Sequence, residues 1–448
     1  MARTKRLVSE PEEGIVDALN HDAEGVVRAG KTAFVADALP GERIVFRRRE
    51  AHRSHDDADL VEVLEASNDR VKPGCDHFGV CGGCALQHLE PAAQLRNKER
   101  ELLETLQRVG GVIPPRVLPA VDGPVWGYRR RARLGARYVT ARQRSLVGFR
   151  ERSSSFVAAL ERCVVLVPEA GEKLAALSDL ATSLSIRMRM PQIEVSAGDG
   201  QLALVMRVLD DPSEDDLRLM REFELRENVK LLLQRNGPTE LQSLDGLPPD
   251  LWYEIPEFGV KLHFTPTDFV QVNGETNRRM VSRVVELLQL DGDARVLDLF
   301  CGLGNFTLPL ATRAASVLGI EGDAGLVERA RHNAAVNGLG NVCFEVANLA
   351  GEAAPATCDR LTASGGRFTH VLLDPPRTGA REVLGSIARL APKTVVYVSC
   401  HPGSLARDLQ ILTTEHGFRL DSAGVVDMFP HTTHVESIAV LHSGSASR

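Results

Sequence analysis

The chain has no run of about 20 apolar residues, the length a helix needs to cross a bilayer, so no membrane span is expected. Its first residues, Met1 to Ser9, are basic but are not followed by an apolar segment, which is not the pattern of a secretory signal. It has no excess of positive charge. The formal net charge is −7, which argues against non-specific coating of nucleic acid. It also lacks a Gly-x-Gly-x-x-Gly loop and a second Cys-x2-Cys knuckle. The eight cysteines, without a signal for export, place the protein in the reducing cytoplasm and point to metal binding or catalysis rather than disulfides.

What remains is a chain of 448 residues, long enough for two or three domains, with 43% hydrophobic and 25% charged residues, as in ordinary globular proteins. Positive charge is concentrated locally. From Tyr128 to Arg144 there are seven arginines (129, 130, 131, 133, 137, 142 and 144) and no acid, and Arg47, Arg48, Arg49 and Arg53 form a second cluster. Such runs are usually solvated faces. Arginine rather than lysine, with Tyr128, Tyr138 and Phe149 interleaved, favours a surface that faces RNA.

Residues 1–66 contain short strand-like runs punctuated by Gly, Asn, Asp and Pro40-Gly41, the pattern of a small β-barrel. The stretch from Ala23 to Phe46, with its hairpin glycines, resembles a TRAM domain, an OB-like barrel found on RNA-modifying enzymes.

Cys75, Cys81 and Cys84 lie within ten residues, separated partly by glycines that let the backbone wrap one centre. Three thiolates call for a metal and a fourth ligand. Cys163 is the best candidate and His77 the alternative. Four thiolates suit tetrahedral zinc and an iron–sulfur cluster alike. The missing knuckle and the distant fourth ligand favour a [4Fe–4S] cluster, with zinc the runner-up. Residues 67–255 otherwise read as an α+β central domain. Its helix from Pro91 to Val109 ends at Gly110-Gly111 and is expected to pack on the catalytic domain. Further helices are expected near 169–185 and 213–226, with a hairpin around Gly198-Asp199-Gly200.

From 256 to 448 strands and helices alternate, which predicts a parallel doubly wound α/β sheet. Arg295–Phe300 reads as a strand leading into the glycine turn Cys301-Gly302-Leu303-Gly304-Asn305. Val317–Glu321 ends in an acid able to hold both hydroxyls of a ribose. Asn348 follows the third strand, where it can address an adenine edge. The fourth strand ends at Asp374-Pro375-Pro376-Arg377, two prolines fixing the aspartate at the sheet edge. The fifth, Val395–Val398, is a β-branched run ended by Pro402, which leaves Cys400 at the carboxyl edge where open α/β sheets bind ligands. Gly351 to Gly366 reads as a surface loop. Loop, acid and Asp-Pro-Pro in this order resemble the Rossmann-like domain of methyltransferases that use S-adenosylmethionine (SAM).

Phe269–Asn273 (FVQVN), DLFCGLGNFTLPLA, LLDPPR, VSCHPGSLARD and HVES together resemble the bacterial uracil-C5 RNA methyltransferases, and with the barrel and the cysteine cluster they resemble the branch acting on 23S rRNA. The likeness spans essentially the whole chain. It implies that Cys400 is the nucleophile and Glu436 the general base. It places Gln271, Phe300, Asn305, Glu321, Asn348 and Asp374 around SAM, with Gln271 and Asp374 close enough to the reacting base to touch uracil. Phe269 is a candidate to stack on that base, against the plain alternative of a core phenylalanine. His401 stands where the family often has Asn. The resemblance also implies 23S rRNA as partner, no membrane, and a monomer. Two other readings compete: the same chemistry on tRNA, and a non-catalytic RNA-binding iron–sulfur protein.

Overall fold

The computed structural model describes residues 5–6, 9–28, 30–235, 237, 240–363 and 367–444. Three sheets carry most of the chain. The first has seven strands between Lys5 and Glu65. Its long pair, Arg43–Ala51 and Asp56–Glu65, runs antiparallel, flanked by Lys5–Arg6 and Glu12–Ile15 on one side and by Ala33–Ala36, Gly25–Val27 and Ala18–Leu19 on the other. Val16, Val27, Val35, Ile44 and Phe46 fill its core. Buried Glu42 ties the sheet to the following segment, accepting from the Arg70 guanidinium (2.5 Å) and the Ser67 amide (3.2 Å).

The second sheet has six strands in the order Arg144–Gly148, Arg131–Val139, Gln192–Ala197, Leu202–Arg207, Lys230–Gln234 and Leu241–Ser243. The expected hairpin is present as Gln192–Ala197 with Leu202–Arg207. The helix expected near 169–185 is divided into Pro168–Gly171 and Leu174–Ser183. The charged helix is Glu214–Glu227, started by a reciprocal capping box between Ser213 and Asp216. A two-stranded hairpin, Leu251–Ile255 with Val260–Phe264, straddles the 255/256 division.

The third sheet has eight strands in the order Val342–Val346, Ser316–Glu321, Arg295–Leu299, His370–Leu373, Thr394–Ser399, Glu436–Ser443, Phe418–Val426 and Arg116–Val117. The first five are parallel and doubly wound, as their near-continuous apolar runs predict. The sheet is not parallel throughout. Glu436–Ser443 runs antiparallel to Thr394–Ser399 and to Phe418–Val426, because the chain turns directly back from residue 426 without a crossover helix. The segment expected to be a loop before the fourth strand contains the helix Ala354–Ala363, whose Ala354, Cys358 and Thr362, four residues apart, face inward. Residues 364–366 of that segment lie outside the described residues.

The helix Pro91–Gly110 begins where Glu90 caps the Ala93 amide (3.0 Å) with Pro91 in the first turn, and ends at Gly111 in the left-handed region. It packs on the third sheet. Leu102 and Leu106 join the core beneath Pro402–Thr414, and Gly110 meets the Ala406 carbonyl with no room for a side chain. Among the described residues no helix is long and apolar enough to cross a membrane.

Candidate active site

One cleft of about 630 Å³ opens along the carboxyl edge of the parallel strands. Gln271, Phe300, Asn305, Glu321, Asn348, Asp374, Cys400 and Glu436 all line it, so the structure brings every residue named from sequence for cofactor and chemistry into one space. Phe269 lines it too. With 71% of its surface exposed, it is not a core residue.

Each position follows from a local feature. After Arg295–Leu299 the chain turns sharply. Phe300, Gly302 and Gly304 have φ of 66°, 56° and 98°, and the Phe300 and Cys301 amides donate back to the Ile320 carbonyl (2.8 and 3.1 Å). The turn is anchored on Glu321, whose carboxylate accepts from the amides of Gly302 (3.1 Å), Gly322 (2.7 Å) and Asp323 (3.0 Å). Asn305 is held tightly. It exchanges two amide hydrogen bonds with Asn277 (2.8 and 2.9 Å) and accepts from the Tyr253 hydroxyl (2.9 Å). Beneath the turn, Asp298 is fully buried. It accepts from Thr307 at 2.6 Å through one oxygen, and the other has no protein partner.

Cys400 and Glu436 meet because their strands run in opposite directions. Cys400 follows the end of Thr394–Ser399, and Glu436 opens its antiparallel neighbour, so both stand at the same edge. Burial, then the carboxylates of Glu436 and Asp374, push the Cys400 thiol up to about 11, with Arg377 opposing. Burial, then Asp374, raises Glu436 to about 8. Burial, then Glu321, raises Asp374 to about 7. Three acidic groups thus share one pocket, the setting in which functional pKa values are shifted.

His401 caps the helix Pro402–Thr414, its Nδ1 accepting from the Ser404 amide (3.1 Å). The ring therefore does the capping work that a short amide does at such a position.

The sequence did not single out Tyr253, Asn277 or Phe429. Arg377 and His434 stood inside quoted motifs without a role. The Arg377 guanidinium donates to His434 Nδ1 (3.3 Å), and the His434 ring packs on Phe429 with centroids 5.3 Å apart. Burial, then Arg377, lowers the His434 pKa.

A second, small pocket is lined by Cys75, Cys81, Cys84 and Cys163, with His77, Gln87 and Phe149 beside them. His77 Nε2 faces the Glu161 amide (3.4 Å). The Gly83 amide donates to Cys81 Sγ (3.4 Å). Much of the arginine run is used internally. Arg130 pairs with Asp199 (2.9 Å), Arg133 with Glu194 (3.1 Å) and Arg144 with Asp179 (2.8 Å), while Arg129 donates to the Arg131 carbonyl (2.9 Å). Arg133 also lines, with Arg137 and Arg142, a broad groove of about 1350 Å³ beside the cysteine loop, together with Arg150, Arg152 and the exposed Phe156.

A glycine turn, an acid at the second strand tip and an Asp-Pro-Pro edge on a doubly wound sheet define a methyltransferase-type domain. Comparison with known proteins narrows the class. Residues 258–443 match the family model described as tRNA (Uracil-5-)-methyltransferase. The 23S rRNA (uracil(1939)-C(5))-methyltransferase RlmD of Alkalilimnicola ehrlichii is 49% identical over 442 residues, 98% of each chain. The protein of the same name from Xylella fastidiosa is 48% identical over 450 residues, covering 98% of this chain and 99% of that one. The chain belongs to the uracil-C5 RNA methyltransferase family, within its RlmD group. In fold it is similar to the Pyrococcus abyssi tRNA (uracil-54, C5)-methyltransferase in complex with S-adenosyl-L-homocysteine. The TM-score is 0.72 and the identity 24%, covering 96% of this chain and 100% of that one.

Proposed function

We propose that this protein transfers the methyl group of SAM to C5 of one uridine in 23S rRNA. The observation that carries the reading is the meeting of Cys400, Glu436 and Asp374 at one end of a cleft whose other walls hold Gln271, Glu321 and Asn348. Bound SAM supplies an electrophilic methyl on its sulfonium.

Uracil C5 is a weak nucleophile until a thiolate adds at C6. Cys400 Sγ forms the bond to C6, and the C5–C6 π electrons move toward the O4 carbonyl as an enolate. The enolate returns those electrons through C5 to the methyl, and the sulfonium leaves as a neutral thioether. Glu436 then takes the C5 proton. The electrons of that C–H bond re-form C5=C6, and the Sγ–C6 bond breaks to restore the thiolate. Glu321 suits the ribose hydroxyls and Asn348 the adenine edge, with Gln271, Phe300 and Asp374 lining the rest. Asn305, whose amide is bonded to Asn277 and Tyr253, serves by fixing the glycine turn. Exposed Phe269 suits a stacking role against a base turned out of the RNA fold.

In this reading residues 1–66 are a TRAM-type RNA-binding barrel, 67–255 a central domain holding the cluster, and 256–448 the catalytic domain. The broad groove with Arg137, Arg142, Arg150 and Arg152 supports an RNA path beside the cysteine module. The reading also takes the protein to be a monomer that works in the cytoplasm.

Cys75, Cys81, Cys84 and Cys163 fit a four-thiolate centre. Zinc with Zn–S bonds of about 2.3 Å needs sulfurs roughly 3.8 Å apart. Among the described residues no three of these sulfurs lie within 4.8 Å of one another, which favours the larger [4Fe–4S] cluster. Burial pushes the Cys81 and Cys84 thiols up to about 11 and about 12, so a bound cation is what would hold them as thiolates.

The test supplies purified protein and labelled SAM with unmodified 23S rRNA and tRNA transcripts. Label is expected in the rRNA alone. Label only in tRNA transfers the assignment to tRNA, and label in neither returns the protein to a binding role. Iron and acid-labile sulfide are expected after anaerobic preparation, and zinc without either would replace the cluster.

A further inference from the structure

The cysteine module and the catalytic edge are joined through a short irregular segment, residues 427–435. This segment carries Phe429 and His434 into the cleft and delivers Glu436 to its strand. Ala85 and Leu86, the two residues after Cys84, both donate their amides to the His431 carbonyl (2.8 and 3.0 Å). Gln94, fully buried on the helix Pro91–Gly110, grips the same residue from the other side. Its Oε1 accepts from the His431 amide (2.8 Å), and its Nε2 reaches His431 Nδ1 (3.1 Å) and the Leu86 and Leu89 carbonyls (3.0 and 2.8 Å).

Other contacts repeat the pattern. The Trp126 ring lies 4.0 Å from that of His431 and also fills the space over Gly74, the residue before Cys75, where a Cβ would come within 2.9 Å of the indole. The Tyr128 hydroxyl donates to the Pro430 carbonyl (3.0 Å). Lys98 Nζ donates to Asp427 (2.7 Å) and to the Phe429 carbonyl (2.8 Å). His431 itself sits at φ 64°, a left-handed conformation that a non-glycine residue holds only when its surroundings impose it. The segment beside Cys163 connects to the cofactor side as well. Arg129 donates its amide to the Val165 carbonyl (2.9 Å), and Arg130 donates its amide to Val272, next to Gln271 (2.9 Å).

We propose that the cysteine module is a clamp on residues 427–435, with Gln94, Trp126 and Tyr128 as positioning residues that set Glu436 for removal of the C5 proton. The proposal rests on the reading of Glu436 as base and of the four cysteines as ligands. Its consequence is specific. A loosened clamp leaves Cys400 on its own strand and the thiolate addition intact. It displaces the group that completes the reaction, so the methylated RNA stays bound to Cys400. Loss of the cluster has the same effect, because Ala85 and Leu86 move with Cys84.

The test uses full-length protein with its cluster assembled. Gln94→Ala and the gentler Tyr128→Phe are compared with wild type and with Glu436→Gln. Four quantities are read: iron content, rRNA affinity, turnover, and the fraction of methylated RNA that remains covalently attached in denaturing gels. Gln94→Ala is expected to keep its iron and its RNA affinity, to turn over about tenfold more slowly and to accumulate the methylated adduct, with Tyr128→Phe showing a weaker form of the same signature. Stripping iron from wild type is expected to give that adduct too, together with faster amide exchange across 427–435. Slower turnover without adduct in Gln94→Ala, while Glu436→Gln does accumulate it, overturns the clamp alone. No adduct in Glu436→Gln removes the base assignment, and the proposal with it. Amide exchange across 427–435 that is indifferent to iron overturns the link to the cysteine module.

Discussion

Ser437 donates its hydroxyl to the carbonyl oxygen of Ser399 at 3.2 Å. The two serines are also paired residues in the antiparallel ladder between Thr394–Ser399 and Glu436–Ser443. Each stands one position from a group proposed to react, Ser399 before Cys400 and Ser437 after Glu436. Strand pairing therefore sets the distance between thiol and carboxyl, and a one-residue slip would turn one of them to the opposite face of the sheet.

Cys400→Ala is expected to lower methyl transfer on the order of 10³-fold or more, the range seen when a covalent nucleophile is removed. RNA carrying 5-fluorouridine cannot release its C5 substituent as a proton, so wild type should be trapped on it as a covalent complex. A complex that still formed with Cys400→Ala would move the nucleophile elsewhere.

The pH dependence follows from the shifted groups. Burial and neighbouring carboxylates place the Cys400 thiol at about 11 and Glu436 at about 8, and both must lose a proton to act. Single-turnover rates should climb steeply from pH 6 to about 8, as Glu436 and the thiol both lose protons, and go on climbing less steeply above pH 8, where only the thiol still titrates. A rate that fell with rising pH across that range would contradict the assignment. Stability should move the opposite way. Asp298 (about 8), Asp374 (about 7) and Glu436 hold protons in the folded protein that the unfolded chain has already released. Their contribution is complete below the ordinary carboxyl range and is lost as pH rises through 7 to 8. Without cofactor, the urea midpoint should fall between pH 5 and pH 8.5, and should fall less in Glu436→Gln.

What could be read in the sequence was what short-range pattern encodes. The β-branched run Val395–Val398 and Pro402 located the strand end and so the edge position of Cys400. The spacing of Cys75, Cys81 and Cys84 led to the one pocket they share with Cys163. Strand direction has no local signature, so the antiparallel entry of Glu436–Ser443 was not foreseen. The helix Ala354–Ala363 was hidden by its glycine-flanked, weakly apolar sequence, although its buried face repeats every four residues. Tyr253 and Asn277 hold Asn305 from distant parts of the chain, which no motif reveals. The arginine run read as one surface, yet Arg130 and Arg131 turn inward to Asp199 and Ser196.

Lys98 and Asp427 form a buried ion pair at 2.7 Å, with side chains 1% and 6% exposed. Burial lowers the lysine pKa, and Asp427 opposes that shift. Lys98→Ala should destabilise the protein by about 3–5 kcal/mol in urea unfolding, because the carboxylate is left buried without a partner. The double change Lys98→Met with Asp427→Leu should recover most of that loss, since two apolar side chains carry no desolvation penalty. A double variant as unstable as the single one would show that the lysine's bond to the Phe429 carbonyl, rather than the ion pair, is what matters there.

Gly110→Ala sets two local effects against each other. Alanine is the better helix former by about 1 kcal/mol, and position 110 closes the helix Pro91–Gly110. An added Cβ, however, would sit 2.5 Å from the Ala406 carbonyl oxygen and 3.0 Å from its carbon, both backbone atoms of the helix that follows Cys400. Backbone inside Pro402–Thr414 cannot turn aside as a flexible side chain can, so the two helices must separate. Overpacking of this kind costs about 1–3 kcal/mol, which outweighs the propensity gain. The expected result is a lower unfolding midpoint together with reduced methyl transfer, because His401 and Cys400 lead into the helix being displaced. A variant more stable than wild type would mean that the helices have room to part without disturbing the nucleophile.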